Sequence, residues 1–329
     1  VFCRCKGTKV FPEIASFLKF YFPGARRKIR IFAPLSSKTI MMKLTDMYGS
    51  IAAAGAGMRR CAIFLAGLLA VMNAYGWSQK GHDVTCFVAE KHLTPKAAAA
   101  VDSLLEGRSM VYWANWLDNA SHTPEYAYSK TWHYNNVDEG ERYETRKQAP
   151  DGDAITALRH TIGVLSGDRL WPEGSAQLAL KMLIHIMGDI HQPLHMGHAT
   201  DLGGNRIKVK FFGNDTNLHS VWDHSLPEAT HKWSYTEWQQ QIDRATPAEQ
   251  LVIISGNIDD WARQSVETAA EVYRDFPAGK NISYNDIARW APVVEDQYLK
   301  GGLRLAHVLN LIFDPGYRPG TAVTVPSQF

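Results

Sequence analysis

The strongest constraint on the fold is a buried-looking helix that carries ionisable groups on its inner turns. The stretch "SAQLALKMLIHIMGDIHQPLH" runs from Ser175 to His195, opening on a serine suited to cap a helix and staying largely apolar as far as Met187. A helix this apolar belongs inside the protein, yet it carries His185, Asp189 and His191 and leads into His195. A buried charge must be paired or bound to a metal, so the rest of the chain has to deliver partners to this helix. His185 and Asp189 stand at i and i+4 and share a face. His191 falls roughly 240° round from His185 at about 100° per residue, off that face. Pro193 cannot continue the hydrogen-bond ladder, so a bend there can turn His195 back toward the same pocket. Nitrogen and carboxylate donors in this arrangement suit zinc or another borderline divalent metal. Satisfied core histidines are the other reading of this stretch taken alone.

Charge divides the chain. Twelve of the 35 basic residues but only two of the 33 acidic ones precede Trp77, so residues 77–329 carry a net charge of −8 and all thirteen histidines. Between the two parts lies "MRRCAIFLAGLLAVMNAYG", two arginines followed by a short apolar run and then small residues. It reads as a cleavable signal over residues 58–76, with an apolar run too short to span a bilayer. Residues 1–57 show no domain pattern and are expected to be a non-native or unstructured extension. The mature chain, 77–329, is then expected to be one domain, secreted or periplasmic, without a stable membrane anchor, and monomeric. Of four cysteines, only Cys86 follows the cleavage point, so the mature chain has no intrachain disulfide. Stability must come from the core, which a 45% apolar content can supply, and from bound metal.

Most of the mature chain has helical periodicity. "HDVTCFVAEKHL", "TPKAAAAVDSLL", "DGDAITALRHTIGVLSG", "TPAEQLVIISGNIDDWARQSVETAAEVYRDF" and "APVVEDQYLKGGLRLAHVLNLIF" each predict a helix, the second with a threonine cap and a first-turn proline. "NRIKVKFFGND" alternates and then turns, predicting a short β-hairpin region. The fold class expected is mainly α. No internal repeat or phosphate-cradling glycine loop is present.

Further metal-capable groups accompany the central helix. "NLHSVWDHSL" places His219 and Asp223 at i and i+4, with His224 pointing elsewhere as a surface histidine. "YWANWLD" ends in Asp118, "KTWHYNN" contains His133, and "WSQKGH" puts Trp77 at the new N-terminus with His82 close behind.

These pieces in this order resemble the S1/P1 nuclease family, zinc-dependent nucleases and 3′-nucleotidases that share a helical fold with zinc-dependent phospholipase C. The markers are W-x-x-x-x-H after a signal, "HYNN", "HIMGDIHQPLH", "DLGGN", "LHSVWD" and "WARQS", and they span essentially the whole mature chain. The resemblance implies three Zn²⁺ ions. Asp118, His133, His185 and one oxygen of Asp189 would hold the first. The amino nitrogen and carbonyl of Trp77, His82 and the other oxygen of Asp189 would hold the second, and His195, His219 and Asp223 the third. Asp118 and Asp189 would be the catalytic carboxylates, whereas His191 has no ligand role and would support the structure. Tyr134 falls where the family stacks a base. Asn136 stands where many members carry a base-binding aspartate, which leaves base preference open. The implied reaction is cleavage of the P–O3′ bond of single-stranded RNA or DNA, and of 3′-nucleotides, to give 5′-phosphates. The acidic balance argues against a protein that follows duplexes through many phosphate contacts. A zinc phospholipase C is the nearest alternative; its last ligand pair looks like His-x-x-x-Glu, where this chain has an aspartate. A non-catalytic zinc-binding protein is the other, though no expected ligand is missing.

Overall fold

Capping residues place most of the helices where the sequence predicts them. Helix α1 covers Gln79–Lys91. Thr94 accepts a hydrogen bond from the Ala97 amide and opens α2, Pro95–Leu104. Two short segments follow, α3 at Met110–Trp113 and α4 at Trp116–Ala120. Asp153 takes the Thr156 amide at 2.9 Å and starts α5, Ala154–Leu165, and Ser175 starts α6, Ala176–Asp189. This computed structural model describes Trp77, residues 79–171 and residues 175–320. All of them belong to one compact unit, Asn73–Phe329. The expected signal at 58–76 and the extension 1–57 lie outside the described residues.

The predicted hairpin is present as β1, Lys208–Phe211, paired antiparallel with β2, Asn214–Asn217. Its two-residue turn, Phe212 and Gly213, has positive φ at both positions, as tight hairpin turns require. Beyond it come α7 at Leu218–Ser220, α8 at Leu226–Thr230 and α9 at Tyr235–Ile242. The segment expected to be one helix from Thr246 to Phe276 is two. Helix α10, Pro247–Ile254, stops and α11, Ile258–Asp275, begins anew. Gly256 has φ +84°, outside helical space, and the Asn257 side chain accepts from the amides of Asp259 and Asp260. A left-handed glycine followed by a strong cap outweighs the continuous apolar periodicity. A third strand, β3 at Asn281–Ile282, joins β1 in parallel; two residues carry no readable alternation. The last helix, α12, covers Tyr284–Phe313 and begins seven residues before its predicted start at Ala291. Asp286 accepts the Ser283 amide at its N-terminus, and Pro292 lies inside it.

Two apolar clusters fill the unit. One gathers α2, α5 and the apolar side of α6; the other gathers Trp77, Leu194, Trp222, Trp238, Trp290 and Tyr298. Helix α1 lies on the seam, giving Cys86 and Ala89 to the first cluster and Val84 and Val88 to the second. It packs closely on α12, because a Cβ on Gly302 would lie 2.5 Å from the Val88 side chain. On α6, Leu180, Leu183, Ile184 and Ile186 are fully buried, each contributing about 1.5–3 kcal/mol. That sum is large enough to offset the several kcal/mol of desolvation expected for an ionised group such as Asp189 on the same helix.

Candidate metal centre

At the end of α6, His185 and Asp189 are both completely buried. Their spacing closes the pair, with His185 Nε2 3.1 Å from Asp189 Oδ2. The helix ends at Asp189, and Pro193 opens a short 3₁₀ turn, Pro193–Met196, that returns His195 to the site. His195 Nδ1 comes within 3.2 Å of Asp189 Oδ1. His82 arrives from α1, its Nε2 3.4 Å from the same oxygen. That approach requires Gly188, where a Cβ would lie 2.7 Å from His82 Nδ1. His133 Nδ1 lies 3.0 Å from Asp189 Oδ2, and Asp118 on α4 is 3.3 Å from His185 Nε2. The two oxygens of Asp189 thus face different histidines, His82 and His195 on one side and His133 and His185 on the other.

The second pair sits on a wider, less regular element than the α-helix the sequence suggests. Strand β2 runs into α7, and then Val221–Ser225 forms a π turn, a distortion frequent at functional sites. His219 Nε2 is 3.1 Å from Asp223 Oδ2, and His195 Nε2 is 3.9 Å from Asp223 Oδ1. The rings of His195 and His219 stack at 5.3 Å. His224 is exposed, as expected.

Three groups of donor atoms result: His82, Asp118 and His185; His133, His185 and Asp189; and His195, His219 and Asp223. Within each the donors lie within 4.8 Å of one another. His82 therefore neighbours Asp118 and His185 as well as Asp189. Trp77 is buried against Tyr298, ring centroids 4.7 Å apart, and a Cβ on Gly81 would lie 3.0 Å from the Trp77 Cβ.

The surroundings favour bound cations. Both ring nitrogens of His82, Nε2 of His133 and Oδ1 of Asp189 are buried without a hydrogen-bond partner, and orphaned polar groups of this kind cost stability unless something completes them. His185, His195 and His219 each donate Nδ1–H to a main-chain carbonyl, of Ala114, His133 and Gly203, at 2.7, 2.7 and 2.6 Å. Each Nε2 is left with its lone pair toward the carboxylates, the orientation a metal-binding imidazole needs. Burial works against the charged form of Asp189, but the facing His185 and His195 outweigh it and hold the carboxyl well below its usual range. Burial also disfavours charge on His185, and here Asp189 and Asp118 prevail and raise it.

A cleft of about 670 Å³ opens onto Asp118, His219 and Asp223 and is walled by Lys80, Asp83 and Asn115. Tyr134 follows His133 and keeps 38% of its surface exposed. Asn136 gives an amide hydrogen to the Gly197 carbonyl at 2.9 Å.

Sequence reasoning missed the partners of these groups. Gln192 is fully buried and donates to Asp223 Oδ1 at 2.6 Å, while its carbonyl takes the Leu194 amide. Its signal was its place inside the histidine cluster, where a buried amide needs partners. The carbonyls that orient the rings carry no side-chain signal at all.

Among the described residues no helix is long and apolar enough to cross a membrane. The family described as S1/P1 Nuclease matches residues 77–314. Nuclease P1 of Penicillium citrinum is 32% identical over 268 residues, covering 72% of this chain and 97% of that protein. Nuclease S1 of Aspergillus oryzae is 28% identical, with 72% and 92% covered, and Endonuclease 2 of Arabidopsis thaliana is 29% identical, with 75% and 93% covered. With its helical fold and its clustered histidines and aspartates, the chain belongs to the S1/P1 nuclease family and is a hydrolase of ester bonds in nucleic acids.

Proposed function

We propose that the mature chain, beginning at Trp77, is a secreted or periplasmic phosphodiesterase that uses three Zn²⁺ ions to cleave single-stranded RNA or DNA, and 3′-nucleotides, at the P–O3′ bond. The observation that carries this reading is the position of Asp189, whose oxygens face two separate sets of histidines. One carboxylate so placed is suited to bridge two ions. The donor set of histidine nitrogens and aspartate oxygens suits zinc.

Asp118, His133, His185 and Asp189 would hold one ion, and His82, Asp189 and the main-chain amine and carbonyl of Trp77 a second. His195, His219 and Asp223 would hold the third. Zinc bound there supplies Lewis acidity and a water acidified to a pKa of roughly 7. The protein's own contribution is orientation. Carbonyls of Ala114, His133 and Gly203 fix three rings, and Gln192 fixes Asp223. Asp118 and Asp189 are the catalytic carboxylates in this reading, set against a phosphate that approaches along the cleft. The exposed ring of Tyr134 offers a face on which an unpaired base can stack, and Asn136 lies two residues further on to meet that base. A duplex, whose bases are already stacked, gains less from Tyr134.

Secretion rests on the signal-like segment Met58–Gly76. The test is to incubate protein beginning at Trp77 with single-stranded RNA, duplex DNA and phosphatidylcholine, with and without chelator. Zinc-restorable hydrolysis that is fastest on the single strand supports the reading. Preferential hydrolysis of phosphatidylcholine refutes it.

A further inference from the structure

Four carboxylates, Asp83, Asp118, Asp223 and Glu228, line the metal-binding cleft. Asp118 and Asp223 are assigned to the ions above, and Asp83 accepts from the Asn115 side-chain amide at 2.8 Å. Lys80 is the one lysine or arginine among the described residues that line the cleft, and it closes on Glu228, with Nζ 2.5 Å from Oε1. We propose that Lys80 leaves Glu228 to hold a backbone phosphate next to the scissile one, with Glu228 as the competitor that limits its grip. The proposal rests on the functional reading above.

The place of Lys80 on α1 separates it from the phosphate under attack. It stands two residues before His82, and at about 100° per residue the two side chains leave the helix roughly 200° apart. His82 is buried and turned to Asp189. Lys80 instead faces the cleft beside Asp83, three residues on. The phosphate met by Lys80 is therefore a different one from the phosphate met at His82.

Lys80 is also placed to prefer an anion. It lies in the first turn of α1, which carries no acidic residue, so it shares the positive end of the helix dipole. Glu228 supplies the missing negative charge from α8. The two side chains remain 21% and 35% exposed, and an ion pair so wetted is weak enough to be exchanged. A phosphodiester carries one negative charge, as the carboxylate does, and an ammonium is a point charge that accepts either without a fixed geometry. Glu228, once released, faces the phosphate with like charge. The two residues thus act on one substrate with opposite signs.

The test measures kcat/KM on zinc-loaded protein for an octanucleotide and for a dinucleoside monophosphate, whose single phosphate is the scissile one. Lys80→Gln is expected to lower the octanucleotide value about threefold, the scale of one exposed ion pair, and to leave the dinucleoside monophosphate unchanged. Glu228→Gln should raise the octanucleotide value by a similar factor. The slope of log kcat/KM against log salt should become shallower by about 0.7 in Lys80→Gln, as for one phosphate contact on a single strand. A merely structural ion pair would be broken alike by both substitutions and could not give opposite signs. Should neither substrate be cut, the functional reading fails, and binding of the intact octamer by fluorescence anisotropy is read for the same opposite signs. Equal losses in both variants overturn the assignment. So does an unchanged octanucleotide value in Lys80→Gln, or an equal loss on the dinucleoside monophosphate.

Discussion

The Arg304 guanidinium donates a 2.9 Å hydrogen bond to Nε2 of His191, and both side chains are buried. His191 Nδ1–H donates to the Met187 carbonyl at 2.7 Å, so the ring is neutral with both nitrogens engaged. Its role is to tie α6 to α12, in keeping with its angular position off the His185–Asp189 face. A second proton on this ring would have to face Arg304.

Acid should therefore weaken the fold through His191. Burial, and then the Arg304 charge, push its pKa well below the ordinary 6.5. The unfolded chain takes up this proton first, so the contribution is complete above pH 6.5 and is lost as pH falls from there toward the folded value. The slope for one proton is about 1.4 kcal/mol per pH unit. Urea midpoints measured between pH 7.5 and 5 should fall in the parent and fall less in His191→Gln. Equal slopes in the two proteins would remove His191 from the titration.

Asp189→Asn should damage activity far more than His191→Ala. An amide bridges two cations poorly and offsets none of their charge, so loss on the order of a hundredfold or more is expected, beyond what displacing an outer partner does. His191→Ala should instead lower stability by about 1–3 kcal/mol, since one buried N–H of Arg304 and the Met187 carbonyl each lose a partner. Zinc content by atomic absorption separates the two outcomes; equal zinc loss in both would contradict this division of labour.

Gln192→Leu should lower zinc affinity about 10- to 100-fold while the protein stays folded. Leucine fills the space but leaves Asp223 Oδ1 and the Leu194 amide without the partners they now have. Competition with a chromogenic chelator measures the affinity. Parent-like affinity would make Gln192 a packing residue only.

Protein that begins at Trp77 should hold more zinc than protein with one added residue. A free α-amine titrates near ~7.7–8.0 and gives up its proton to a metal, whereas a peptide nitrogen has no lone pair to offer. The extended form should lose one ion and most turnover. Three ions and full turnover in that form would take the N-terminus out of the site.

How far the sequence reaches depends on whether the information lies in side chains. The ligand candidates His185, Asp189, His219 and Asp223 were legible because helical spacing and metal chemistry act on side chains. The hairpin was legible from its alternation. The break at Ser255–Asn257 was hidden because an apolar period outlasts the helix that carries it, and a cap decides the ending. The π turn at Val221–Ser225 and the carbonyls behind the histidine rings are main-chain events, invisible until the chain is folded. The local signal for that break is Gly256 followed by Asn257, a left-handed glycine and a capping residue in succession.

The carbonyls of Ala114, His133 and Gly203 also bear on how such a centre tolerates mutation. The aim of three imidazoles is stored in the path of the backbone, so exchanging the side chain at a carbonyl-bearing position cannot delete the acceptor. Ala114 can drift to any residue its tight surroundings admit and still steer His185. Gly203 is held for a different reason, because a Cβ there would lie 2.5 Å from the Leu194 carbonyl. Exchange at Ala114 and Gly203 is thus filtered by steric fit rather than by hydrogen-bonding chemistry, and a designer transplanting this centre would have to copy its loops along with its residues.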